Sequence, residues 1–484
     1  MPTIRLLALA GGLAVFFIML ALPAPSGLEP VGWRTAAVAT LMAIWWMTEA
    51  LPIPATAMLP LVLFPVLGIL DMPAAAAPYA NEVIFLFLGG FILAAGMQRW
   101  GLHKRLALAI MAFVGATPKR LLFGFMAATA FLSMWISNTA TAAMMLPIAL
   151  AVSELFAPKV EGKAPSNFPV ALLLGIAYAA SIGGVATLIG TPPNAVLAAA
   201  SAELVGVEIS FVEWMAVGLP VTIVFLPIAW GMLLYMYPPE ELGGNASGIL
   251  ASERASLGPM GRGERIVAVI FFLTALSWVF RAPLDLGFVS LPGLATLFPG
   301  IRDSTIAMAA AVALFLIPVY PSKGVQAITW RDTESVPWGV LLLFGGGLSL
   351  ALAMDRSGLA GWIGEGVVGL EGVSLVVLVA AVATLFIFLT EITSNTATST
   401  MAMPLMVGVA AALGTDAVTL MATAALASSM AFMLPVATPP NAIVFGAERM
   451  TIQQMARAGF FMNLISIVVV TVFIFTIVPR VFGD

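Results

Sequence analysis

The chain has 484 residues, of which 61% are hydrophobic and 9% charged, with a formal net charge of −4 at pH 7 and a mean hydropathy of +1.07. No soluble domain of this length exposes so little charge, and the uncharged stretches match the roughly 20 apolar residues that cross a bilayer. Cysteine is absent, which excludes disulfides and thiolate chemistry; the apolar runs are continuous rather than alternating, which excludes a transmembrane barrel.

In chain order, the gaps between charges place helices at 6–24, 35–50, 53–70 and 83–98. The opening MPTIRLLALAGGLAVFFIML resembles a signal peptide, but no small-residue cleavage site follows cleanly, so it reads as a retained first span. The patch RWGLHKR at 99–105 holds the single histidine, His103, and reads as a solvated loop. The sequence is then uncharged from Leu121 through Ser153, which is 33 residues. That is too long for one span and too short for two crossings and a turn, so 121–157 reads as a hairpin entering and leaving on one side. Spans follow at 168–188, 213–236, 265–280, 304–318 and 336–354, then a second hairpin at 374–413 and spans at 417–436 and 458–479. The polar stretch 238–265, rich in Gly, Ser and charge, reads as a linker between halves, and its NAS sequon at Asn245 as background. The expectation is an all-α polytopic membrane protein of about 11 transmembrane helices plus two re-entrant hairpins.

Lys119 and Arg120 precede the first hairpin and Lys159 and Lys163 follow it, whereas Glu371 and Asp416 flank the second. Under the positive-inside rule the hairpins therefore enter from opposite faces. This scheme puts fifteen of the 20 basic residues inside and Arg34, Arg281, Arg302, Arg356 and Arg480 outside. The amino terminus is expected in the cytoplasm and the carboxyl terminus outside, in the inner (plasma) membrane. Nothing in the charge pattern points to nucleic acid.

A shift of 257 residues aligns FLGGFILAAGMQRWGL (87–102) with FGGGLSLALAMDRSGL (344–359) at nine of sixteen positions, and places Ser137 on Ser394. The motif TPPNA at 191–195 recurs at 438–442, a shift of 247. Two similar halves with opposed hairpins make an inverted repeat, the arrangement of secondary transporters whose broken segments meet near the midplane.

SNT at 137–139 and 394–396 and TPPN at 191–194 and 438–441 sit inside membrane-grade stretches. A backbone break there is tolerated only where it is buried or lines a wet cavity. Ser, Asn and Thr cap helices, and Pro suits the first helical position, so the four motifs read as helix starts in mid-membrane. Helix starts favour anions, so four converging starts could hold a doubly charged substrate without a buried Arg or Lys. Nearby carbonyl and hydroxyl oxygens suit a hard cation, with sodium the natural candidate. Ser133 and Thr390 lie four residues before Ser137 and Ser394, on the same helical face, and are further candidate ligands. The bland alternative is that small polar residues help helices associate in lipid, and recurrence of the whole set argues against it. Glu391, in LTEITSNT, is an intramembrane acid with Met134 as its repeat partner, so it belongs to no symmetric site and reads as a supporting or proton-sensing group.

With TEALPIPATAMLP near the start, SNTAT at 137 and 394, IGTPPNA at 189 and VATPPNA at 436, nearly the whole chain resembles the divalent anion/sodium symporter family, the INDY-type di- and tricarboxylate transporters. The resemblance implies an elevator-type homodimer in which transport elements at 119–212 and 355–457 slide against scaffold helices at 1–118 and 213–354, with 458–484 as a C-terminal helix. It also implies that Ser137, Asn138, Thr139, Ser394, Asn395 and Thr396 contact the substrate carboxylates, with Thr191, Pro192, Thr438 and Pro439 at the opposing helix starts, and that sodium sits at each hairpin tip: one ion with Ser133, Ser137, Asn138 and the Gly190 carbonyl, another with Thr390, Thr393, Asn395 and the Ala437 carbonyl. The expected activity is sodium-coupled uptake of C4-dicarboxylates such as succinate, fumarate or malate. A dicarboxylate exchanger, or a citrate or sulfate carrier of the same fold, is the alternative. An intramembrane enzyme lacks the material: there is no cysteine, and no paired carboxylates share a helix face.

Overall fold

The computed structural model describes residues 2–115, 117–154, 167–239, 246–285, 290–366 and 372–482. Lys159, Lys163, Asn245 and Glu371, used above, lie outside the described residues. The described chain is almost entirely helical, with two small two-stranded ribbons. Among the described residues, five helices are long and apolar enough to cross a bilayer by themselves: Met72–Arg99, Phe211–Met236, Trp338–Arg356, Asn395–Leu413 and Ile452–Phe482. The other apolar helices are shorter, many of them because they are hairpin arms or halves of broken helices.

Both hairpins are present. Pro118–Ser133 and Asn138–Ser153 form the first, Leu375–Thr390 and Asn395–Leu413 the second, each bent at four residues. A 16-residue arm such as Pro118–Ser133 is about 24 Å long, short of the roughly 30 Å hydrocarbon layer, so its tip stops inside the membrane. Each hairpin clasps the broken helix that follows it: Phe168–Gly184 packs on both arms of the first, and Ala417–Ser428 on both arms of the second. These broken helices end earlier than the expected 188 and 436, unwind, and restart at Pro192–Ala200 and Pro439–Phe445. Hydropathy runs straight through such breaks, because an unwound apolar backbone has the composition of a helix.

Three expectations change. The span expected at 53–70 is two short pieces, Ile53–Thr56 and Leu59–Val66, divided where Tyr79 donates its hydroxyl to the Ala57 carbonyl at 2.5 Å. The polar linker contains a helix, Ala246–Ser256. His103 is not in a loop: it opens the helix Leu102–Val114 with Nδ1 3.1 Å from the Met97 carbonyl, and burial lowers its pKa. The charges of that patch are tied down by Arg99–Asp332, Lys104–Glu253 and Arg105–Glu264 pairs, so sequence polarity that looked like solvation is pairing between helix ends.

The two repeats interlock. Glu82–Arg99 packs on Asp303–Leu316 of the second half, and Trp338–Arg356 packs on the short pieces near Ala57 of the first. Arg302 meets Glu82 at one end of the Glu82–Arg99 helix, while Arg99 meets Asp332 at the other. Basic residues assigned to opposite sides of the membrane therefore sit at opposite ends of one helix.

Candidate functional site

At the first tip, the arm Pro118–Ser133 ends on Ser133, whose hydroxyl is 2.6 Å from Asn138 Oδ1 and 2.7 Å from the Ala180 carbonyl. Asn138 begins the return arm, and Ser137 caps it by accepting from Ala140 N at 3.3 Å. Asn138 lies against Gly184, where a Cβ would come within 2.6 Å of its Oδ1. Gly184 in turn presses its carbonyl on Gly190, where a Cβ would sit 2.4 Å from that oxygen. Ser133, Asn138 and Gly190 are thus joined through Gly184, and only a residue without a side chain fits between them.

The second tip repeats the pattern. Thr390 Oγ1 is 2.7 Å from Asn395 Oδ1 and 3.0 Å from the Ser428 carbonyl. Here Ser394 occupies the capping position without capping through its side chain, contrary to the expectation for SNT. Among the TPPN starts, Thr438 accepts from Asn441 N at 3.3 Å, whereas Thr191 makes no such bond, and Pro192 and Pro439 open their helices as expected. Thr393 is engaged within its hairpin, by the Thr398 hydroxyl at 2.6 Å and the Leu389 carbonyl at 2.8 Å. Thr396 and Ala437 are buried and Thr139 is exposed.

Each unwound segment is held by the last residue of TPPN. Asn194 Nδ2 donates to the carbonyls of Gly184, Val185 and Thr187 at 3.1, 3.2 and 2.7 Å. Asn441 Nδ2 does the same for Ala431 and Leu434 at 3.4 and 3.0 Å. One amide thereby satisfies carbonyls that a helix would have paired, the condition for a break in hydrocarbon. Behind each segment a glycine lets a long helix touch backbone: a Cβ at Gly218 would lie 2.3 Å from the Val185 carbonyl, and one at Gly459 2.2 Å from that of Phe432.

The four motif helices pair across the repeats. The return arm Asn138–Ser153 packs on Pro439–Phe445, and Asn395–Leu413 packs on Pro192–Ala200. Each hairpin thus meets the restarted helix of the other repeat, so each set of hydroxyl, amide and carbonyl oxygens is built beside elements of both repeats, with neither a Lys nor an Arg in the motifs. Such a setting can take cations on its neutral oxygens and an anion at its helix starts.

Residues 4–481 match the model of a family described as "Sodium:sulfate symporter transmembrane region". The chain belongs to this sodium:sulfate symporter family. It is therefore a multi-pass membrane transporter and not an enzyme. It is 43% identical over 486 residues to the "Sodium-dependent dicarboxylate transporter SdcS" of Staphylococcus saprophyticus, covering 99% of this chain and 92% of that one. The protein of the same name from Staphylococcus aureus is 42% identical over 488 residues, with the same coverage. Among solved structures, the fold resembles the YdaH transporter of Alcanivorax borkumensis (TM-score 0.57, 16% identity, 92% of this chain and 98% of that one). It also resembles MtrF of Neisseria gonorrhoeae (TM-score 0.59, 14% identity, 98% of this chain and 95% of that one).

Several residues of this transporter's core escaped sequence reasoning. Asn194 and Asn441 were visible inside the repeated motif, but their role is to hold the break, which only the fold displays. Gly218 and Gly459 are 241 residues apart, a register different from both 257 and 247, so the alignment that finds the hairpins misses them. Glu391 receives N–H groups from Phe432, Met433 and Leu434 at 2.7, 2.9 and 3.1 Å and from Asn463 Nδ2 at 2.8 Å.

Proposed function

We propose that this chain is a sodium-coupled symporter of C4-dicarboxylates such as succinate, fumarate or malate, in the inner (plasma) membrane, with its amino terminus in the cytoplasm and its carboxyl terminus outside. The observation that carries the reading is the duplicated oxygen triplet, Ser133, Asn138 and Ala180 at one tip and Thr390, Asn395 and Ser428 at the other, each at the start of a return arm. The names of the staphylococcal relatives support the substrate class.

Sodium is cargo in this reading. At the first tip the Ser133 and Asn138 oxygens with Ser137 and the Gly190 carbonyl ligate one ion; at the second, Thr390, Asn395, Thr393 and the Ala437 carbonyl ligate another. The two substrate carboxylates lie at the starts of Asn138–Ser153 and Asn395–Leu413, where free N–H groups and the positive helix end favour negative charge. Ser137, Thr139, Ser394 and Thr396 supply hydroxyls, and Thr191, Pro192, Thr438 and Pro439 form the opposing wall. Two cations offset the dianion, so the loaded core crosses the low-dielectric layer with little net charge. The hairpins and broken helices of 119–212 and 355–457 move together as the transport domain of a homodimeric elevator.

The test is uptake of labelled succinate into proteoliposomes under an inward sodium gradient. Sodium-dependent accumulation is expected, and Asn138→Ala and Asn395→Ala should each lower it by about a hundredfold while the purified protein stays folded. Normal transport by either variant removes that residue as a ligand. Uptake that persists without sodium and requires internal substrate indicates an exchanger, and stronger competition by citrate or sulfate than by malate reassigns the anion.

A further inference from the structure

The two tips differ in one charged group. In the first repeat, the hairpin tip is tied to its unwound segment by a neutral bond: Thr187 donates its hydroxyl to the Met134 carbonyl at 2.5 Å. In the second repeat the position of Met134 is Glu391, 3% exposed, and the tie runs the other way. Its carboxylate accepts from three consecutive backbone N–H groups of the unwound segment and from Asn463 of the C-terminal helix Ile452–Thr476. All four partners are donors, and an acceptor-only carboxylate is the form that satisfies them.

This arrangement has a directional consequence. Where Glu391 gathers the N–H groups of Phe432–Leu434, Asn441 takes the carbonyls at either edge, those of Ala431 and Leu434. The segment is gripped from both sides, by an anion on its N–H groups and by an amide on its carbonyls. It leads directly to Ala437, whose N–H bonds back to the Leu434 carbonyl at 3.1 Å. Glu391 also follows Thr390 in the chain, so the residue that grips the segment is continuous with the second oxygen triplet, while Met134 stands at the corresponding place beside the first. In a poorly screened interior a carboxylate raises the affinity of a neighbouring cation site.

We propose that Glu391 is a positioning residue for the second cation site, and that it makes the two symmetry-related sites unequal, the Thr390/Asn395 site binding sodium more tightly than the Ser133/Asn138 site. The charge acts through the segment it fixes, since its four hydrogen bonds are all to protein donors. The inference rests on the symport reading above and specifies how that site is biased.

Thermal unfolding of the purified full chain in detergent, titrated with sodium chloride against choline chloride and with no dicarboxylate present, isolates cation binding from transport. Wild type should be stabilised by sodium with a definable midpoint. In Glu391→Gln, which keeps the size but adds donors facing donors, the midpoint should rise roughly tenfold or more. Glu391→Asp, which keeps the charge, should fall between them. Asn463→Ala, which removes one donor at the far edge, should shift the midpoint by a smaller factor in the same direction, and it keeps the test open if Glu391→Gln does not fold. In proteoliposomes, Glu391→Asp and Asn463→Ala should raise the half-saturating sodium concentration more than they lower the maximal rate.

The outcomes separate. A wild type that sodium does not stabilise overturns the symport reading and this inference with it. A stabilised wild type with unmoved midpoints in the folded variants leaves symport standing and overturns the role of Glu391. Variants that lose only maximal rate or only thermal stability, at unchanged sodium dependence, overturn it equally by assigning Glu391 to scaffolding.

Discussion

The two hairpin tips place the same kinds of oxygen at the same spacing, yet their surroundings have little in common. Trp135, beside the first tip, stands in an aromatic cluster: its ring is 4.8 Å from Phe271 and 6.5 Å from Trp278, which stacks on Phe211 at 4.2 Å. Its repeat equivalent at the second tip, Ile392, is 66% exposed. On the facing segments, Ile189 is 3% exposed and its equivalent Val436 is 81% exposed. The apolar residues flanking the first tip are thus covered by neighbouring helices and those flanking the second are bare, although the motif threonines run the other way, Thr139 exposed and Thr396 buried. The triplets survive this difference because each is built from one hairpin and its own broken helix, whereas the cover comes from elsewhere in the chain. Ligand geometry is local to a repeat, and access to it is a property of the whole molecule.

The sharpest way to test that division is to remove the cover. Trp135→Ala deletes the ring that joins the first tip to Phe271 and Trp278, and should cost about 3 kcal/mol of stability. Ile392→Ala at the open tip should fall within about 0.5 kcal/mol of wild type. Apparent melting temperatures of the two purified variants decide the matter; equal losses would mean that the second tip is covered too.

The next effect should be equal in the two halves. Gly218→Val and Gly459→Val each drive a side chain into the backbone of an unwound segment, at closest approaches of 2.3 and 2.2 Å for the first carbon alone. Each should destabilise by about 2 kcal/mol through overpacking, read as lost folded protein on size exclusion and a lowered Tm. A strong effect at one glycine only would show that the two breaks are not built alike.

A smaller and graded effect belongs to the TPPN asparagines. Asn194→Ala releases three carbonyls and Asn441→Ala two, the latter with longer bonds. The expected losses are about 2 and about 1 kcal/mol, in that order, since three bonds are lost against two; the Val185, Thr187 and Leu434 carbonyls still accept from Trp214 Nε1, Gly190 N and Ala437 N, so the cost falls on Gly184 and Ala431. The order matters because Glu391 grips the second segment as well, so that segment has a reserve that the first lacks. If Asn441→Ala proves the more damaging, the carboxylate contributes less to holding the break than its four bonds suggest.

These comparisons also show what a sequence can display. The hairpins were legible because 33 uncharged residues fit neither one span nor two, and SNT recurring at 394 marked both turns. Ser133 and Thr390 were singled out by a four-residue helical spacing that the structure does not contain: each ends its arm, the SNT serine is the N-cap residue of the next helix across the bend, and the contact made is to the Asn five residues on. The restarts at TPPN were legible from the motif, but the helix ends at Gly184 and Ser428 were not, since nothing in the apolar composition ahead of the motif separates unwound backbone from helix. The helix at Leu102–Val114 was hidden by charges that pair with partners such as Glu253 and Glu264, about 150 residues away in sequence. The acid at Glu391 was visible and its purpose was not, because its partners are backbone N–H groups, which every residue but proline carries.

The smallest effect concerns access, and the protein's lack of cysteine makes it direct to measure, since single-cysteine variants need no background removed. Ile392→Cys and Val436→Cys should react readily with a membrane-impermeant maleimide added outside, and Ile189→Cys slowly. The reagent separates two kinds of exposure that surface area alone conflates. A thiol reacts as its thiolate, so a cysteine facing lipid stays protonated and inert, whereas one facing water ionises and couples. Rapid modification at 392 and 436 would mean that the open tip faces an aqueous path to the site. Adding sodium and succinate should then slow both reactions if the elevator carries the second tip inward. Equal rates at 189 and 436 would show that the closed tip opens as often as its partner, and would reduce the contrast between the tips to one snapshot of an evenly shared motion.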